Sequence, residues 1–428
     1  MKTVAFQTLG CKLNFSESSD LGRKFQENGF RIVEFSQKAD VYVINTCTVT
    51  SIAEKKCRNA IRQAVHLNPN AIVAAIGCFA EINPREIEKI EGIHYVLGNA
   101  EKHKLVDYIL AEEQGSSCAS KMTSVGNISD FVPSYSTGDR TRSFLKIQDG
   151  CDYFCTYCAI PFARGRSRSL TIGETVEKAR EVAKENIKEV ILTGINIGDF
   201  GKLHNESFFE LIKQLDKIEG IERYRISSIE PDLLSENIIE FVAKSEKFLP
   251  HFHIPLQSGS EQVLKAMKRR YSKELFAERV YKIKSIMPDT CIAADVIVGF
   301  NHETDEAFQE AYDFLESLPI SYLHIFTYSE RPNTYALQLN EKVPISVRRE
   351  RSKILHTLSE KKKLQFYKEN QGTTHSVLWE GSNNNGFMYG FTDNYIKVKR
   401  TFEAELENQI HIVRLTELDS DQIYFCER

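Results

Sequence analysis

The amino-acid sequence predicts an α/β protein built in three parts, and three observations carry that prediction. Strand-like and helix-like segments alternate over roughly the first 110 residues, and again with greater regularity between residues 142 and 330. After a long basic segment the texture changes to short alternating strands separated by Gly, Asn and Asp. Alternation of β and α implies parallel strands joined by right-handed crossovers. The amino-terminal part is therefore expected to be a doubly wound parallel sheet. The central part is expected to be a parallel sheet, either doubly wound or curled as a partial barrel, and the last part a small antiparallel β-barrel.

In residues 1–111, "TVAFQTLGC" reads as a strand, "ESSDLGRKFQENGF" as a helix ending at a glycine, "DVYVINTC" as a strand, "SIAEKKCRNAIRQAVHLN" as a helix and "AIVAAIGC" as a strand. Residues 112–136 are polar, rich in Ser and Thr and without periodicity, so they are expected to be a linker. In residues 137–370, "RSFLKIQDG" is a strand running into a cysteine loop, and "TIGETVEKAREVAKEN" opens a helix on a Thr171-x-x-Glu174 capping box. Strands "EVILTGIN", "YRISSIE", "HFHIPLQSG", "AADVIVGF" and "YLHIFTYSE" follow, with helices between them, making six strands in all. The basic helix "SVRRERSKILHTLSEKKKLQFYKENQG" leads into residues 371–428, where "HSVLWE", "GFMYGFTDNYIKVKR", "QIHIVRLTEL" and "DQIYFCE" are the barrel strands.

A chain of 428 residues is too long for one core, and 42% hydrophobic residues can fill several. A net charge of −4 gives no global basic field, so a nucleic acid partner would be held by local patches. The opening "MKTVAFQTLG" lacks the apolar run of a signal peptide, and no stretch reaches about 18 uninterrupted apolar residues. A soluble, cytoplasmic protein with no membrane partner is expected. Ten cysteines in a reducing compartment are then for metal ligation, catalysis or burial.

Cys151, Cys155 and Cys158 form C-x3-C-x2-C in "GCDYFCTYCAIP", which is neither the paired C-x2-C of structural zinc sites nor the four-cysteine run of bacterial ferredoxins. A structural zinc site completed by Cys118 or Cys291 is the bland alternative. A closed site fills its coordination sphere, so three clustered ligands point to an open metal. Cys11, Cys47 and Cys78 each follow a strand of the first sheet, so they gather at its carboxyl edge, and they again lack a fourth partner. Three buried small residues ending strands are the alternative there. Cys57 falls mid-helix and is expected to point away from the strand ends, as packing.

With an aromatic, Tyr157, before its last cysteine, the C-x3-C-x2-C loop resembles that of the radical S-adenosylmethionine enzymes. "TLGCKLN", "NTCTVT" and "GCFAE", followed by that loop, resemble the methylthiotransferase family over essentially the whole chain. That resemblance implies a central partial (β/α)6 barrel of the radical SAM type and a carboxy-terminal TRAM barrel that binds RNA. It implies two [4Fe-4S] clusters, one on the catalytic trio Cys151, Cys155 and Cys158, and an auxiliary one on Cys11, Cys47 and Cys78. S-adenosyl-L-methionine would chelate the fourth iron of the first cluster, with Tyr157, Gly194 and Asn196 in "LTGINIGDFG", and Gln257 and Ser258 as cofactor-side residues. An electron from a reductant such as a flavodoxin or ferredoxin would cleave the cofactor to a 5′-deoxyadenosyl radical.

"NTCTVTSIAEKKCR" and "LTGINIGDFG" look most like the subfamily that methylthiolates threonylcarbamoyladenosine beside the tRNA anticodon. Methylthiolation of isopentenyladenosine or of a ribosomal-protein aspartate is the alternative within the family. A two-cluster electron carrier or an RNA-binding protein without turnover is the alternative outside it. Where this chain has Asn301-His302 the family usually reads Pro-Gly, which leaves the local loop path in question. Arg164, Arg166 and Arg168 alternate, so an extended segment would present them together to phosphates. Phe391 and Tyr395 with Lys397, Lys399 and Arg400 suit stacking on bases, against an aromatic core with a basic edge. His251 and His253 are expected to be packing or surface groups.

Overall fold

The computed structural model describes residues 1–113, 120–122, 128, 130–137 and 141–426; Cys118 and much of the expected linker lie outside them. The chain packs into two compact units. One comprises Met1–Ser136, Phe144–Leu170 and Ser329–Leu337, the other Thr137–Ser143, Thr171–Tyr328 and Gln338–Arg428. Residues 144–170, which by sequence go with the central part, therefore pack with the first unit.

The first unit is built on a parallel sheet of β1 (Thr3–Thr8), β2 (Arg31–Val33), β3 (Val41–Thr46), β4 (Ile72–Gly77), β5 (Tyr95–Leu97) and β6 (Ser120–Lys121), in the order β2-β1-β3-β4-β5-β6. The helices are α1 (Lys12–Glu27), α2 (Ser51–Leu67), α3 (Cys78–Ile82), α4 (Pro84–Glu88) and α5 (Leu105–Glu113). Every residue of β3 is buried because both faces are covered. Tyr42 and Ile44 pack with Cys57, Ile61 and Ala64 of α2, whereas Val41 and Val43 pack with Leu21 and Phe25 of α1 and Leu105 and Ile109 of α5. This is the doubly wound arrangement. Its strand order reverses between β1 and β3, the place where such sheets open a crevice at their carboxyl ends. The linker expected to lack structure supplies two strands, β6 on the first sheet and β7 (Ser134–Tyr135). β7 pairs antiparallel with β8 (Arg142–Lys146) through Ser134↔Lys146. β9 (Gln148–Asp149) and β10 (Arg168–Ser169) form a small antiparallel pair that brackets the cysteine loop and α6 (Ile160–Arg164).

In the second unit α7 (Ile172–Lys184), β11 (Glu189–Thr193), α8 (Phe208–Leu215), β12 (Arg223–Ile226), α9 (Glu236–Lys244), β13 (His251–Gln257), α10 (Glu261–Ala266), α11 (Lys273–Ile286), β14 (Cys291–Val298), α12 (Asp305–Ser317) and β15 (Tyr322–Thr327) alternate as expected. β11 and β12 pair in parallel, β13, β14 and β15 likewise, and single bridges Tyr224↔Phe248 and Ser228↔His253 join the two sets. Ser or Thr side chains cap the amino ends of α2, α7, α8, α11 and α12, at Thr50, Thr171, Ser207, Ser272 and Thr304. The Thr171–Glu174 capping box is complete.

α13 (Ile345–Glu369) leads into β16 (Thr374–Trp379), β17 (Phe387–Thr392), β18 (Lys397–Thr401), β19 (Ile410–Arg414), β20 (Glu417–Leu418) and β21 (Tyr424–Phe425). They form one sheet, β19-β16-β17-β18-β21-β20, antiparallel except where β18 meets β21. Its core is shared: Trp379, Val377 and Met388 enclose Cys291 of β14 and Phe366 and Tyr367 of α13. Cys291 is thus a packing residue, its thiol pushed up to about 12 by burial.

Candidate metal centre

Cys11, Cys47 and Cys78 lie at the carboxyl edge of the first sheet. Cys11 immediately precedes α1, Cys47 follows β3, and Cys78 opens α3 after β4. Cys11 and Cys47 flank the point where strand order reverses. Close approach is built into the backbone at Gly10, at φ +103, where a Cβ would stand 2.9 Å from Cys47 Cβ and 3.0 Å from its Sγ. Asn14 ties two of the cysteine loops together, its Nδ2 donating to the carbonyls of Leu9 (2.7 Å) and Thr46 (3.1 Å). Thr46 ties the third, its Oγ1 donating to Ile76 O (2.7 Å) and accepting from the N–H groups of Phe79 and Ala80. Asn99 Nδ2 donates to Cys78 Sγ at 3.7 Å. Burial pushes the Cys47 thiol up to about 12, so a metal must displace its proton.

Cys57 departs from expectation. Its sulfur, with the residue wholly buried, accepts the N–H of Cys47 at 3.3 Å and lies 3.6 Å from its carbonyl. The connection from β3 to α2 is so short that the second turn of the helix comes back over the strand end. Cys57 thus supports a trio residue instead of pointing away from it.

The loop of Cys151, Cys155 and Cys158 is closed at both ends by backbone bonds, Cys151 N–H to Gly165 O (3.1 Å) and Cys158 N–H to Cys155 O (3.0 Å). Gly150 (φ +71) permits the first, since a Cβ there would stand 2.0 Å from Arg166 O. Tyr157 and Cys158 are half-buried and Cys155 is buried. Both trios therefore belong to the same compact unit, with α3 packed on α6.

Arg164 and Arg168 do not face outward. Arg164 donates to Glu17 (3.1 and 3.2 Å), Asp149 (3.0 Å) and Asn14 (2.7 Å), and Arg168 donates to Asp149 (3.2 Å). Lys102 and Lys146 complete the cluster on Glu17 at 2.5 and 2.9 Å. Burial alone would raise the Glu17 and Asp149 carboxyls, but the surrounding cations hold both well below their ordinary values. Alternation failed as a guide because the three are not in one extended segment: Arg164 ends α6, Gly165 turns the chain and Arg168 lies in β10; only Arg166 is exposed, stacking over Phe154 at 4.6 Å.

In the second unit Gly194 and Asn196 sit in the turn after β11, where Asn196 is buried and donates to Asp199 at 3.2 Å. Gln257 ends β13 with a left-handed backbone (φ +67), and the buried Ser258 accepts the Ser260 N–H at 3.2 Å.

Two family profiles match the chain: "Uncharacterized protein family UPF0004" over residues 3–98 and "Radical SAM superfamily" over residues 145–315. The chain is 39% identical to the threonylcarbamoyladenosine tRNA methylthiotransferase MtaB of Bacillus subtilis, over 93% of this chain and 90% of that protein. It is 40% identical to that of Aquifex aeolicus, over 96% and 99%. The chain belongs to the MtaB-like methylthiotransferase family of radical S-adenosylmethionine proteins. Among solved structures, the radical S-adenosylmethionine methyltransferase TsrM from Kitasatospora setae shares the fold, with a TM-score of 0.60 at 12% identity over 90% of this chain and 79% of that one.

The radical SAM family implies S-adenosyl-L-methionine and a [4Fe-4S] cluster, and three thiolates on one loop suit such a cluster. A single zinc holds thiolates at ~2.3 Å and so within ~4.6 Å of one another. Among the described residues the set of three candidate ligands whose donor atoms lie that close, within 4.8 Å, is His253, Asp295 and His324 and neither cysteine trio. A four-iron cluster instead takes each thiolate on a different iron. His253, expected as packing, has its Nε2 2.6 Å from Asp295 Oδ1, and its ring lies 4.9 Å from that of His324. The H-x-H alternation in β13 signalled only one of the three, because its partners come from β14 and β15.

Asn301-His302, where Pro-Gly was expected by resemblance, forms a turn. His302 takes the left-handed conformation (φ +67) that the glycine would supply, anchored to Glu341 at 2.7 Å, and Asn301 Nδ2 donates to Leu339 O at 3.0 Å. The rings expected to stack on bases are engaged internally. Phe391 and Tyr395 stack on each other at 4.8 Å, with Arg142 over Phe391, and Arg225 and His251 against Tyr395. Lys399 pairs with Asp419, and Arg400 pairs with Glu403 at 2.5 Å, so the aromatic-core reading holds for this strip. Among the described residues no helix is long and apolar enough to cross a membrane.

Proposed function

We propose that this chain is the tRNA methylthiotransferase that places a methylthio group on the adenine ring of threonylcarbamoyladenosine beside the anticodon. The observation that carries the reading is the pair of three-cysteine sites within one compact unit, in a chain 39% and 40% identical to two MtaB methylthiotransferases over 90% and 99% of their lengths. When bound, a [4Fe-4S] cluster with S-adenosyl-L-methionine supplies hydrogen-abstracting power, and a second, auxiliary cluster supplies sulfur.

The chain's own residues do the rest. Cys151, Cys155 and Cys158 would hold the first cluster, beside which S-adenosyl-L-methionine would bind. Tyr157, Gly194, Asn196, Gln257 and Ser258 orient S-adenosyl-L-methionine. Cys11, Cys47 and Cys78 would hold the auxiliary cluster, with Asn14, Thr46 and Cys57 fixing their loops. A reductant such as a flavodoxin or ferredoxin would supply the electron, and a tRNA substrate accords with a cytoplasmic protein. In this division residues 1–111 bear the auxiliary cluster, 137–370 form the radical SAM domain and 371–428 the TRAM domain.

Nucleoside mass spectrometry of tRNA from cells lacking the protein tests the reading. Loss of the methylthio form of threonylcarbamoyladenosine alone is expected. Loss of methylthio-isopentenyladenosine instead would move the chain to the other tRNA branch. A purified protein that yields no 5′-deoxyadenosine on anaerobic reduction with S-adenosyl-L-methionine would be a carrier or binding protein.

A further inference from the structure

Among the described residues the buried charges beside the amino-terminal trio do not balance. Glu17 and Asp149 face Lys102, Lys146, Arg164 and Arg168, four cations to two carboxylates, with every one of these side chains 7% exposed or less. An excess of positive charge inside a protein is costly unless an anion lies against it. Arg164 is the innermost of the four, at 0% exposure. Both its terminal nitrogens are used, yet its Nε–H, also buried, has no hydrogen-bond partner among the described residues. The sulfurs of Cys78 and Cys11 bear electrostatically on this guanidinium together with the two carboxylates. Asn99 joins the same neighbourhood: its Nδ2 donates to Cys78 Sγ and to the carbonyl of Ala163, the residue before Arg164, while Lys102 holds its Oδ1 at 2.7 Å.

We propose that Arg164 is the charge-balancing and positioning partner of the metal centre on Cys11, Cys47 and Cys78, its Nε–H donating to a sulfur of that centre and its charge offsetting the thiolates. The proposal rests on the reading of that trio as a cluster site. It gives the arginine a role that a phosphate-facing surface group could not have. Arg164 follows the Cys151–Cys158 loop in sequence and bonds Asp149 at its start, so one side chain ties the two cysteine sites together. A cluster's potential depends on net charge and on hydrogen bonds to its sulfurs, so a buried donor cation should make the auxiliary centre easier to reduce.

The test uses the full chain with Cys151, Cys155 and Cys158 changed to Ala, reconstituted anaerobically with iron and sulfide so that only the amino-terminal centre is filled. Arg164→Lys and Arg164→Gln are made in that background. Iron per chain, the midpoint potential from dithionite titration and the electron paramagnetic resonance line shape of the reduced centre are measured. The midpoint is expected to shift negative in the order Arg, Lys, Gln, with a changed line shape already in Arg164→Lys, which keeps the charge and loses the Nε–H. If Arg164→Gln does not fold, Arg164→Lys decides. Full iron with unchanged potential and line shape overturns the role of Arg164 while leaving the trio a cluster site. A parent chain that takes up no iron overturns the reading of the trio, and this inference with it.

Discussion

Glu17 is the group on which the buried network turns, and replacing it by Gln is the sharpest test of that network. The carboxylate accepts from Lys102, Lys146 and Arg164, all at 3.2 Å or less. The Glu17→Gln change keeps the shape and one acceptor, but leaves four buried cations facing Asp149 alone. Removing one partner of a buried charge pair costs about 3–5 kcal/mol. In a unit of 150–250 residues, each kcal/mol moves Tm by about 2–4 °C, so a fall of roughly 6–20 °C is expected at pH 7. The assay is thermal unfolding of the metal-free chain by circular dichroism, with the exposed Arg166→Ala as control, expected to stay within about 0.5 kcal/mol of the parent. The pH dependence follows in sign. Glu17 is depressed in the folded chain relative to its ordinary 4.5. Its contribution is therefore complete above that value and is lost as the pH falls further, so the gap between parent and Glu17→Gln should narrow progressively below pH 4.5. A Tm difference under about 2 °C at pH 7, or a gap that widens in acid, would refute the network as drawn.

Three further outcomes are expected. Gly150→Ala forces a Cβ against the Arg166 carbonyl, so the loop cannot close and reconstituted iron should fall to about half, with 5′-deoxyadenosine formation lost; full iron would refute this. Cys47→Ala should spare reductive cleavage of S-adenosyl-L-methionine but stop methylthiolation, whereas Cys57→Ala should retain iron at a stability loss of about 1–2 kcal/mol, since it removes a buried sulfur and its bond to Cys47; loss of the auxiliary iron in Cys57→Ala would make Cys57 a ligand. Tyr395→Ala removes the half-buried ring between Phe391, Arg225 and His251 and should lower urea stability by about 1–3 kcal/mol; weaker tRNA binding with unchanged stability would return that ring to the RNA.

Much of this protein is legible in one dimension, because its signals are local. The alternation of strands and helices, the Thr171–Glu174 capping box and the C-x3-C-x2-C loop depend on residues a few positions apart, and each has its counterpart in the structure. The strand-end placement of Cys11, Cys47 and Cys78 follows from the same logic, since a parallel sheet brings all its carboxyl ends to one edge. Tertiary packing decided what side chains do once distant segments meet. Alternation put Arg164 and Arg168 on a surface, but the fold turns Arg164 inward onto Glu17, 147 residues away, and Arg168 onto Asp149. Helical spacing sent Cys57 away from the strand ends, but the short β3–α2 connection lays it on Cys47. Phe391 and Tyr395 suited RNA by composition, yet Arg142, Arg225 and His251 of the central part reach them first. Local patterns set backbone form through bonds between near neighbours, whereas a buried charge or ring finds its partner only where the folded chain brings one within contact distance.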